Sequence, residues 1–334
     1  MRKRALIALV ALVCLVATGC GAGGSEAGTL VVQSGNPAAN LSNIDLYVAQ
    51  KEGFFDDEGL DVSVRYSNGA TLAAQLVASG KADVASITFE PIVDAYSKGV
   101  KGSFFWAKYK QGIYSVQVPE NSPIRSFADL KGKTVGVASL TSSAIPFTKI
   151  NLRRAGVPTD SVTFQPTGLG GPAKTAVQSG DVQALALWSD PYSTLAQDGL
   201  RLRTVEQGGV GRPGGGGYFA SDKVLDGDKR SDLEKYAKAL AKADAFIAKN
   251  PQKAIEDYWA VNPSAKSVGM QSTLTSLKAV LGDFVTSPPY GVFDPDEVES
   301  YVKQYADVQG VDDPPSVDQL ITNDVAEQAD RSVR

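Results

Sequence analysis

The chain has 334 residues, 43% of them hydrophobic and 21% charged, and its formal net charge at pH 7 is −4. This is an ordinary globular composition, which excludes disordered, collagen-like and disulfide-stapled proteins. The sequence contains no histidine, which excludes Ser-His-Asp and Cys-His catalysis, HExxH metal sites and histidine general bases.

The N-terminal segment predicts export. Basic residues 2–4 precede an apolar run at 5–17, and Cys20 directly follows the small residues 17–19. The run is shorter than the roughly 20 residues that span a bilayer, and this order of segments is typical of a signal peptide. The segment resembles a bacterial lipoprotein signal, in which the cysteine becomes the lipidated N-terminus. A plain secretory signal with an incidental cysteine is the alternative.

Cleavage before Cys20 would leave a signal peptide at 1–19, a lipid-anchored flexible tether at 20–28 and an exported globular part. Because the signal carries three basic and no acidic residues, its loss takes the formal charge from −4 to −7. An acidic chain disfavours nucleic acid as a partner. Ala17 stands where the usual lipoprotein pattern has Leu or Val. We expect the protein at the outer face of the cell membrane, anchored through the lipidated cysteine.

Apolar runs of strand length alternate with helix-like segments twice along the chain. This alternation predicts two parallel sheets, one for each round, covered by helices on both faces. The first round has strands at 30–33, 60–66 and 84–88 and helices at 46–52 and 72–79, and the second has strands at 134–138, 162–166 and 184–187 and helices at 147–155 and 173–179.

The C-terminal part of the chain is predicted to be helical. Ser231 and Glu234 have the spacing of a capping box ahead of an apolar helix face. Another helix is expected over 295–306, with acidic residues in its first turn that suit the positive end of the helix dipole. These helices are expected to return to the first lobe.

We predict an α/β fold of two lobes, each a mostly parallel sheet flanked by helices, joined by crossover segments at 111–122 and 208–217. Lobe 1 would be discontinuous, comprising 29–115 and 219–334, and lobe 2 would comprise 116–218. A ligand cleft is expected between the lobes. The glycine-rich segment 208–217 lacks the lysine-hydroxyl pair of a phosphate-binding loop, so we interpret it as a flexible connection.

Four sequence runs together resemble type II solute-binding proteins of ABC importers. Within these the chain is most similar to the group that includes binders of nitrate, taurine, aliphatic sulfonates and pyrimidine precursors of thiamine. The runs fall at the expected intervals and cover most of residues 29–260. They are LYVAQKEGFFDDEGLDV at 46–62, LVASGKADV at 76–84, DLKGKTVGV at 129–137 and SGDVQA at 179–184.

The resemblance implies the type II periplasmic-binding-protein fold, in which a small-molecule ligand is held between the lobes. It implies a membrane permease with its ATPase as the partner. We expect a monomer that uses no organic cofactor and no metal and has no catalytic residue.

The ligand is expected beyond the carboxyl ends of the strands, because in open α/β sheets these ends lie beside helix N-termini. Ser139, Thr141 and Ser142 would offer hydroxyl and backbone N–H groups to a carboxylate, sulfonate or carbonyl oxygen. Helix N-capping by Ser142 or Ser143 explains the serines equally well. The segments so placed are 34–45, 67–71, 88–90, 139–143, 168–171 and 188–192.

Aromatic and acidic side chains complete the predicted site. Trp188 is the strongest aromatic candidate, because it follows a buried apolar run at a strand end, where it could stack on a ring. Glu90 could accept from an amino group or ring N–H of a ligand, whereas Asp190, before a proline, could serve only to form a turn. The predicted ligand-binding residues are Asn43, Asp45, Tyr47, Gly69, Thr88, Phe89, Glu90, Ser139, Thr141, Ser142, Trp188, Asp190 and Tyr218.

These segments contain few basic residues, with Arg212 and Lys174 as the exceptions. We therefore expect a neutral or weakly charged organic ligand with a ring, for which a pyrimidine is one candidate. The alternatives are an aliphatic sulfonate, taurine or nitrate anion, an enzyme of the same fold acting on a thiamine or menaquinone precursor, and a surface lipoprotein without a ligand. The export signal disfavours an intracellular enzyme.

Overall fold

The computed structural model describes residues 28–206 and 214–333. The predicted signal peptide, the lipid anchor Cys20, most of the tether and Arg212 lie outside the described residues. No described helix is long and apolar enough to cross a membrane.

Ten strands form two five-stranded sheets in the described chain, in the orders β2-β1-β3-β10-β4 and β7-β6-β8-β5-β9. The strands are β1 Gly28–Ser34, β2 Leu60–Tyr66, β3 Val84–Thr88, β4 Gly102–Tyr109, β5 Tyr114–Pro119, β6 Thr134–Val137, β7 Thr163–Pro166, β8 Ala184–Trp188, β9 Leu202–Thr204 and β10 Gly216–Ser221.

Each sheet contains the parallel three-stranded unit that the sequence predicts. Strand β1 pairs in parallel with β2 and β3, and β6 pairs in parallel with β7 and β8. An antiparallel strand is then added to each, β10 beside β3 and β5 beside β8. Both sheets are therefore mixed. All five residues of β3 and of β8 are buried, as expected of central strands covered on both faces.

Helices flank both sheets. They are α1 Ile44–Lys51, α2 Phe54–Asp57, α3 Ala70–Ala78, α4 Glu90–Tyr96, α5 Ala144–Arg154, α6 Gly171–Gln178, α7 Ser189–Gln197, α8 Asp222–Leu225, α9 Arg230–Lys249, α10 Pro251–Val261, α11 Met270–Leu281, α12 Pro295–Gln309, α13 Val317–Leu320 and α14 Asp324–Val333.

Both predicted C-terminal helices, α9 and α12, are present. The start of α9 differs from the prediction. Helix α9 begins one residue before Ser231, without a side-chain cap, and Glu234 instead pairs with Arg230 at 3.1 Å. The capping-box prediction is therefore wrong. Helix α12 begins at Pro295 as predicted, and Asp294 caps it by accepting from two backbone N–H groups.

The chain passes between the sheets at 110–113 and again between Glu206 and Gly216, in part outside the described ranges. Much of the predicted crossover 111–122 is strand β5, in the second sheet. Gly216 and Gly217, predicted as flexible connection, lie in β10, where a Cβ on Gly217 would come within 1.9 Å of the Trp106 carbonyl oxygen. Glycine is needed there for close strand approach. We call residues 28–109 and 214–333 the first half, and 114–206 the second half.

The C-terminal helices pack on the first half and also contact the second. Helix α9 packs between α1 and α14. Helix α11 contacts α7 of the second half, where the Gln197 side chain donates to Ser276 Oγ at 2.9 Å. Helix α12 contacts α5, where Arg153 donates to the Asp307 carbonyl. The two halves are thus in contact through two pairs of helices, α11 with α7 and α12 with α5.

Candidate solute-binding site

A cavity of about 270 Å³ lies between the two halves. It is built largely from the carboxyl ends of strands β3, β4, β6, β7 and β8, where the sequence predicts a ligand. The described lining residues are Gly35, Asn36, Pro37, Ser42, Asn68, Gly69, Ala70, Ser86, Ile87, Thr88, Tyr109, Ile113, Tyr114, Ala138, Ser139, Thr141, Ser142, Ser143, Gly168, Leu169 and Trp188.

The two halves meet directly at the cavity wall. Thr88 Oγ1, at the end of β3, donates to Ser143 Oγ, just before α5, at 3.1 Å. Gly69 has a φ of 118°, and a Cβ there would lie 2.9 Å from Thr141 Oγ1 of the other half. The structure therefore has the halves closed on each other around the cavity.

Three helices begin at the cavity, namely α3 after Gly69, α5 after Ser143 and α6 after Gly170. None of these three N-cap residues makes a side-chain capping bond. The first backbone N–H groups of a helix have no intrahelical partner, and its N-terminal end is partly positive. Ser142 Oγ accepts weakly from the Ala144 N–H at 3.3 Å. At α5 the Ile145 N–H also bonds to the Ser142 carbonyl, and Pro146 has no N–H. The backbone N–H groups that the described residues leave unpaired therefore lie at the starts of α3 and α6.

Aromatic side chains form the other side. Trp188 and Tyr114 lie edge to face, with ring centroids 6.3 Å apart, and Tyr109 and Ile113 continue the wall. Burial raises the pKa of Tyr109 and of Tyr114 well above the usual value for tyrosine. Both phenols therefore stay neutral and can donate or accept a hydrogen bond.

Six of the thirteen predicted ligand-binding residues line this cavity, from both halves of the chain. They are Gly69, Thr88, Ser139, Thr141, Ser142 and Trp188.

Three further predicted residues, Asn43, Asp45 and Tyr218, lie behind the cavity around the buried Lys108. The Lys108 Nζ is 2.9 Å from Asp45 Oδ1, 3.2 Å from Asn43 Oδ1 and 3.3 Å from the Tyr218 hydroxyl. The Tyr218 hydroxyl donates to Asp45 Oδ2 at 2.5 Å. Burial lowers the pKa of Lys108, and the charge of Asp45 opposes that shift. The four side chains form one hydrogen-bonded network.

Glu90 and Phe89 also lie behind the cavity. Glu90 accepts a hydrogen bond from the Tyr301 hydroxyl through Oε1, and among the described residues its Oε2 has no hydrogen-bond partner. Burial raises the pKa of Glu90, although the nearby hydroxyls of Thr88 and Tyr301 oppose the shift. Phe89 packs edge to face on Phe104 in the core.

Tyr47 and Asp190 do not line the cavity. Tyr47 stacks on Tyr258 at 6.0 Å, within the core of the first half. Asp190 lies in the first turn of α7, half-buried, and desolvation raises its pKa to about 6.

Several lining residues were not singled out by the sequence. Asn36, Asn68 and Gly168 fall within the predicted segments, whereas Tyr109 lies outside them. Two lining residues have no sequence signal that separates them from ordinary strand residues. They are Ser86, which precedes a strand end, and Tyr114, which falls in the predicted crossover. Lys108 could have been suspected, because it is the one charged residue in the strand sequence GSFFWAKY.

None of the described lining residues carries a formal charge. Lys174, named as a possible cation, instead donates to the carbonyl of Asp198 at 2.6 Å on the surface. The described residues contain no group of three or more acidic or cysteine side chains that could hold a metal ion.

Known proteins resemble this chain in sequence over short stretches and in structure over most of its length. An Escherichia coli protein named for aliphatic sulfonate binding is 41% identical over 90 residues, and a Haemophilus influenzae protein named for thiamine biosynthesis is 31% identical over 98 residues. The matched stretches span 26% and 29% of this chain and only 27% and 31% of those relatives.

Among solved structures, the periplasmic aliphatic sulphonate binding protein SsuA from Escherichia coli superposes with a TM-score of 0.68 at 21% identity. The superposition covers 90% of this chain and 99% of SsuA. The desulfurization enzyme DSZB superposes with a TM-score of 0.58 at 15% identity, covering 92% of this chain and all of that one. These similarities show the fold, which is that of periplasmic binding proteins and which an enzyme also uses.

The family model described as NMT1/THI5 like matches residues 40–254, well over half of the chain and all the segments that carry the cavity except Gly35, Asn36 and Pro37. The chain belongs to the NMT1/THI5-like family.

Proposed function

We propose that this chain is the solute-binding component of an ABC importer and that it captures a small organic solute between its two halves. The observation that carries this proposal is the cavity lined by both halves, at whose wall Thr88 of one half donates to Ser143 of the other at 3.1 Å. The family, the fold and a relative named for aliphatic sulfonate binding support it.

The size and lining of the cavity indicate the kind of solute. A volume of about 270 Å³ is just below the range of pockets that hold drug-sized molecules. Donor groups at the starts of α3 and α6 suit an oxygen-bearing head, and Trp188 with Tyr114 suits a ring or a short apolar body. The absence of formal charge among the described lining residues favours a neutral or weakly charged solute with a ring.

An aliphatic sulfonate is the second candidate. The relative's name and the three helix N-termini favour it, because such ends stabilise an anion without a basic side chain.

Capture would follow a closing motion. A solute that touches both walls stabilises the closed arrangement by the difference in its affinity for the open and closed forms. Closure would bring Thr88 to Ser143 and exclude water from the aromatic wall. The closed protein would then deliver the solute to a membrane permease. Export, lipidation at Cys20 and a monomeric state are part of this proposal.

We favour binding over catalysis because the described lining offers no carboxylate, amine, imidazole or thiol to act as a base or nucleophile. An enzyme of the same fold acting on a thiamine or menaquinone precursor remains the competing function. Product formed from a bound solute by the purified protein would establish that alternative.

The test starts from the purified mature chain. Mass spectrometry of molecules released on unfolding should identify a solute, and adding it back should shift the fluorescence of Trp188 and reduce the radius of gyration in solution scattering. Trp188→Phe should remove most of the fluorescence response. A protein that releases no solute and shows no thermal shift or compaction with nitrate, sulfonates or pyrimidines would contradict the proposal.

A further inference from the structure

Ser86 on β3 is a buried hydroxyl in the cavity wall. The residue lines the cavity and is only 5% exposed, and its Oγ donates to Asn43 Oδ1 at 3.3 Å. The direction of this hydrogen bond decides what Ser86 can offer to a solute, because a hydroxyl has one proton to donate.

Lys108 sets the orientation of the Asn43 amide. The three neighbours of Lys108 Nζ all present acceptor oxygens, namely Asp45 Oδ1, Asn43 Oδ1 and the hydroxyl oxygen of Tyr218, whose own proton goes to Asp45. An ammonium group has three donors and no acceptor, so it matches this arrangement completely. A flipped Asn43 would turn its N–H groups against that ammonium.

The hydrogen bond at the amide nitrogen of Asn43 supports the same orientation. Asn43 Nδ2 donates to Ser34 Oγ at 2.7 Å, and the same oxygen accepts from the Asn36 N–H at 3.1 Å. Asn43 is fully buried and held on both sides, so its oxygen is fixed between Lys108 and Ser86.

The Ser86 proton is therefore committed to Asn43. The Ser86 oxygen can therefore only accept a hydrogen bond from a solute. This polarity is opposite to that of the start of α6 in the second half, which offers backbone donors. A charged ammonium of a solute is disfavoured at Ser86, because the described lining holds no carboxylate and Lys108 lies behind Asn43.

We propose that Ser86 is a specificity-determining acceptor, positioned by Asn43 and Lys108, which requires the solute to carry a neutral O–H or N–H group in addition to its oxygen-bearing head. This inference rests on the proposed binding function and deepens it. It assigns the solute class: a hydroxyl-, amide- or ring-amino-bearing molecule, not a bare inorganic anion or a simple alkyl sulfonate.

The test uses two probe pairs in which a donor is replaced by a methyl group of similar size. One pair is 2-hydroxyethanesulfonate and propane-1-sulfonate, and the other is 4-aminopyrimidine and 4-methylpyrimidine. In calorimetry with the mature chain, the donor-bearing member of a pair that binds should bind roughly tenfold or more tightly, since an unmatched buried polar group weakens binding by about that factor. Ser86→Ala should bring this ratio near one.

Two further variants separate a positioning role from general damage. In the double variant Lys108→Met with Asp45→Asn, no ammonium fixes the Asn43 amide, which can flip and donate to Ser86. The donor preference should then fall or reverse. The control is Ser63→Ala, at an exposed position on the edge strand β2 of the same sheet. This variant should keep the wild-type ratio of affinities within each probe pair.

Equal binding of both members by the wild-type chain, or an unchanged ratio in Ser86→Ala, would overturn the inference. A ratio that survives in the double variant would overturn the positioning role of Lys108. If no probe binds, the released solute decides: one with an O–H or N–H group supports the inference, and one without contradicts it. A chain that releases and binds nothing contradicts the proposed function itself.

Discussion

The two walls of the cavity are supported in different ways. The wall from the first half, at Ser86 and Thr88, is backed by a network of buried side chains around Lys108. The wall from the second half, at 139–143, is a loop in which Leu140 is 61% exposed and Thr141 is exposed as well. A wall fixed by buried hydrogen bonds selects ligand geometry, whereas an exposed loop can adapt as the halves close.

The largest expected effect tests the support of the first wall. Lys108→Met leaves the Asp45 carboxylate buried, with Tyr218 as its remaining side-chain partner in the described part of the chain. Removing one member of a buried ion pair typically costs about 3–5 kcal/mol of unfolding free energy. Urea unfolding followed by circular dichroism measures this loss.

The matched control is Lys131→Met, at an exposed position before β6, which should change stability by less than about 0.5 kcal/mol. If Lys108→Met costs no more than the control, the first wall does not depend on the buried network, and the contrast between the walls fails.

The second prediction concerns the aromatic side of the second half. Trp188→Ala removes the ring that packs edge to face on Tyr114 and lines the cavity. We expect solute binding to weaken by roughly 2 kcal/mol, in the range of aromatic contacts at well-packed sites. Calorimetry with the released solute provides the measurement.

Trp259→Ala serves as the comparison, because Trp259 is on α10 and does not line the cavity. It should leave affinity within about twofold of wild type, a difference that is small on the energy scale of binding. Equal losses of affinity in both variants would show that Trp188→Ala weakens binding by destabilising the fold and not by removing a contact with the solute.

Sequence patterns predicted much of the fold because alternating apolar runs specify the parallel units, and these recur in both sheets as β1 to β3 and β6 to β8. Strand-end segments such as 139–143 were found for the same reason, since topology fixes which ends of strands meet. The depth of a side chain was not predictable. Asp45 and Glu90 were predicted as ligand contacts because they are acidic residues in segments that follow strands. Partners far along the chain, Lys108 and Tyr301, instead hold them behind the wall.

Asp190 gives a prediction that depends on pH. Its folded-state pKa of about 6 lies above the value near 3.9 for an unfolded aspartate. The folded state binds the proton more tightly, so this contribution to stability is complete below about pH 3.9 and is lost as the pH rises to 6. Because the side chain is half-buried, we expect a loss of about 1–2 kcal/mol relative to Asp190→Asn between pH 3.5 and pH 7.

Thermal or urea unfolding of both proteins across this range would measure the difference. Thr194→Ala, an exposed position on the same helix, should shift stability by the same amount at both ends of the range. If the difference in unfolding free energy between wild type and Asp190→Asn does not change with pH, the prediction fails. That result would mean that solvent reaches this carboxyl and that the second half is more open beside Trp188.

The smallest expected effect tests the place where the two walls touch. At Gly69 the φ of 118° disfavours any side chain, and a Cβ would lie 2.9 Å from Thr141 Oγ1 of the other half. Gly69→Ala should therefore weaken both folding and solute-driven closure, by about 1 kcal/mol each.

Thr141→Ala removes the atom that the new methyl group meets, but it leaves the backbone strain at residue 69 unchanged. In a double-mutant cycle, the affinity loss should be partly recovered in the double variant, whereas the stability loss should not. Solution scattering with and without solute would report closure directly. Strictly additive affinities would mean that the exposed loop at 139–143 simply moves aside, so that recognition depends on the first wall alone.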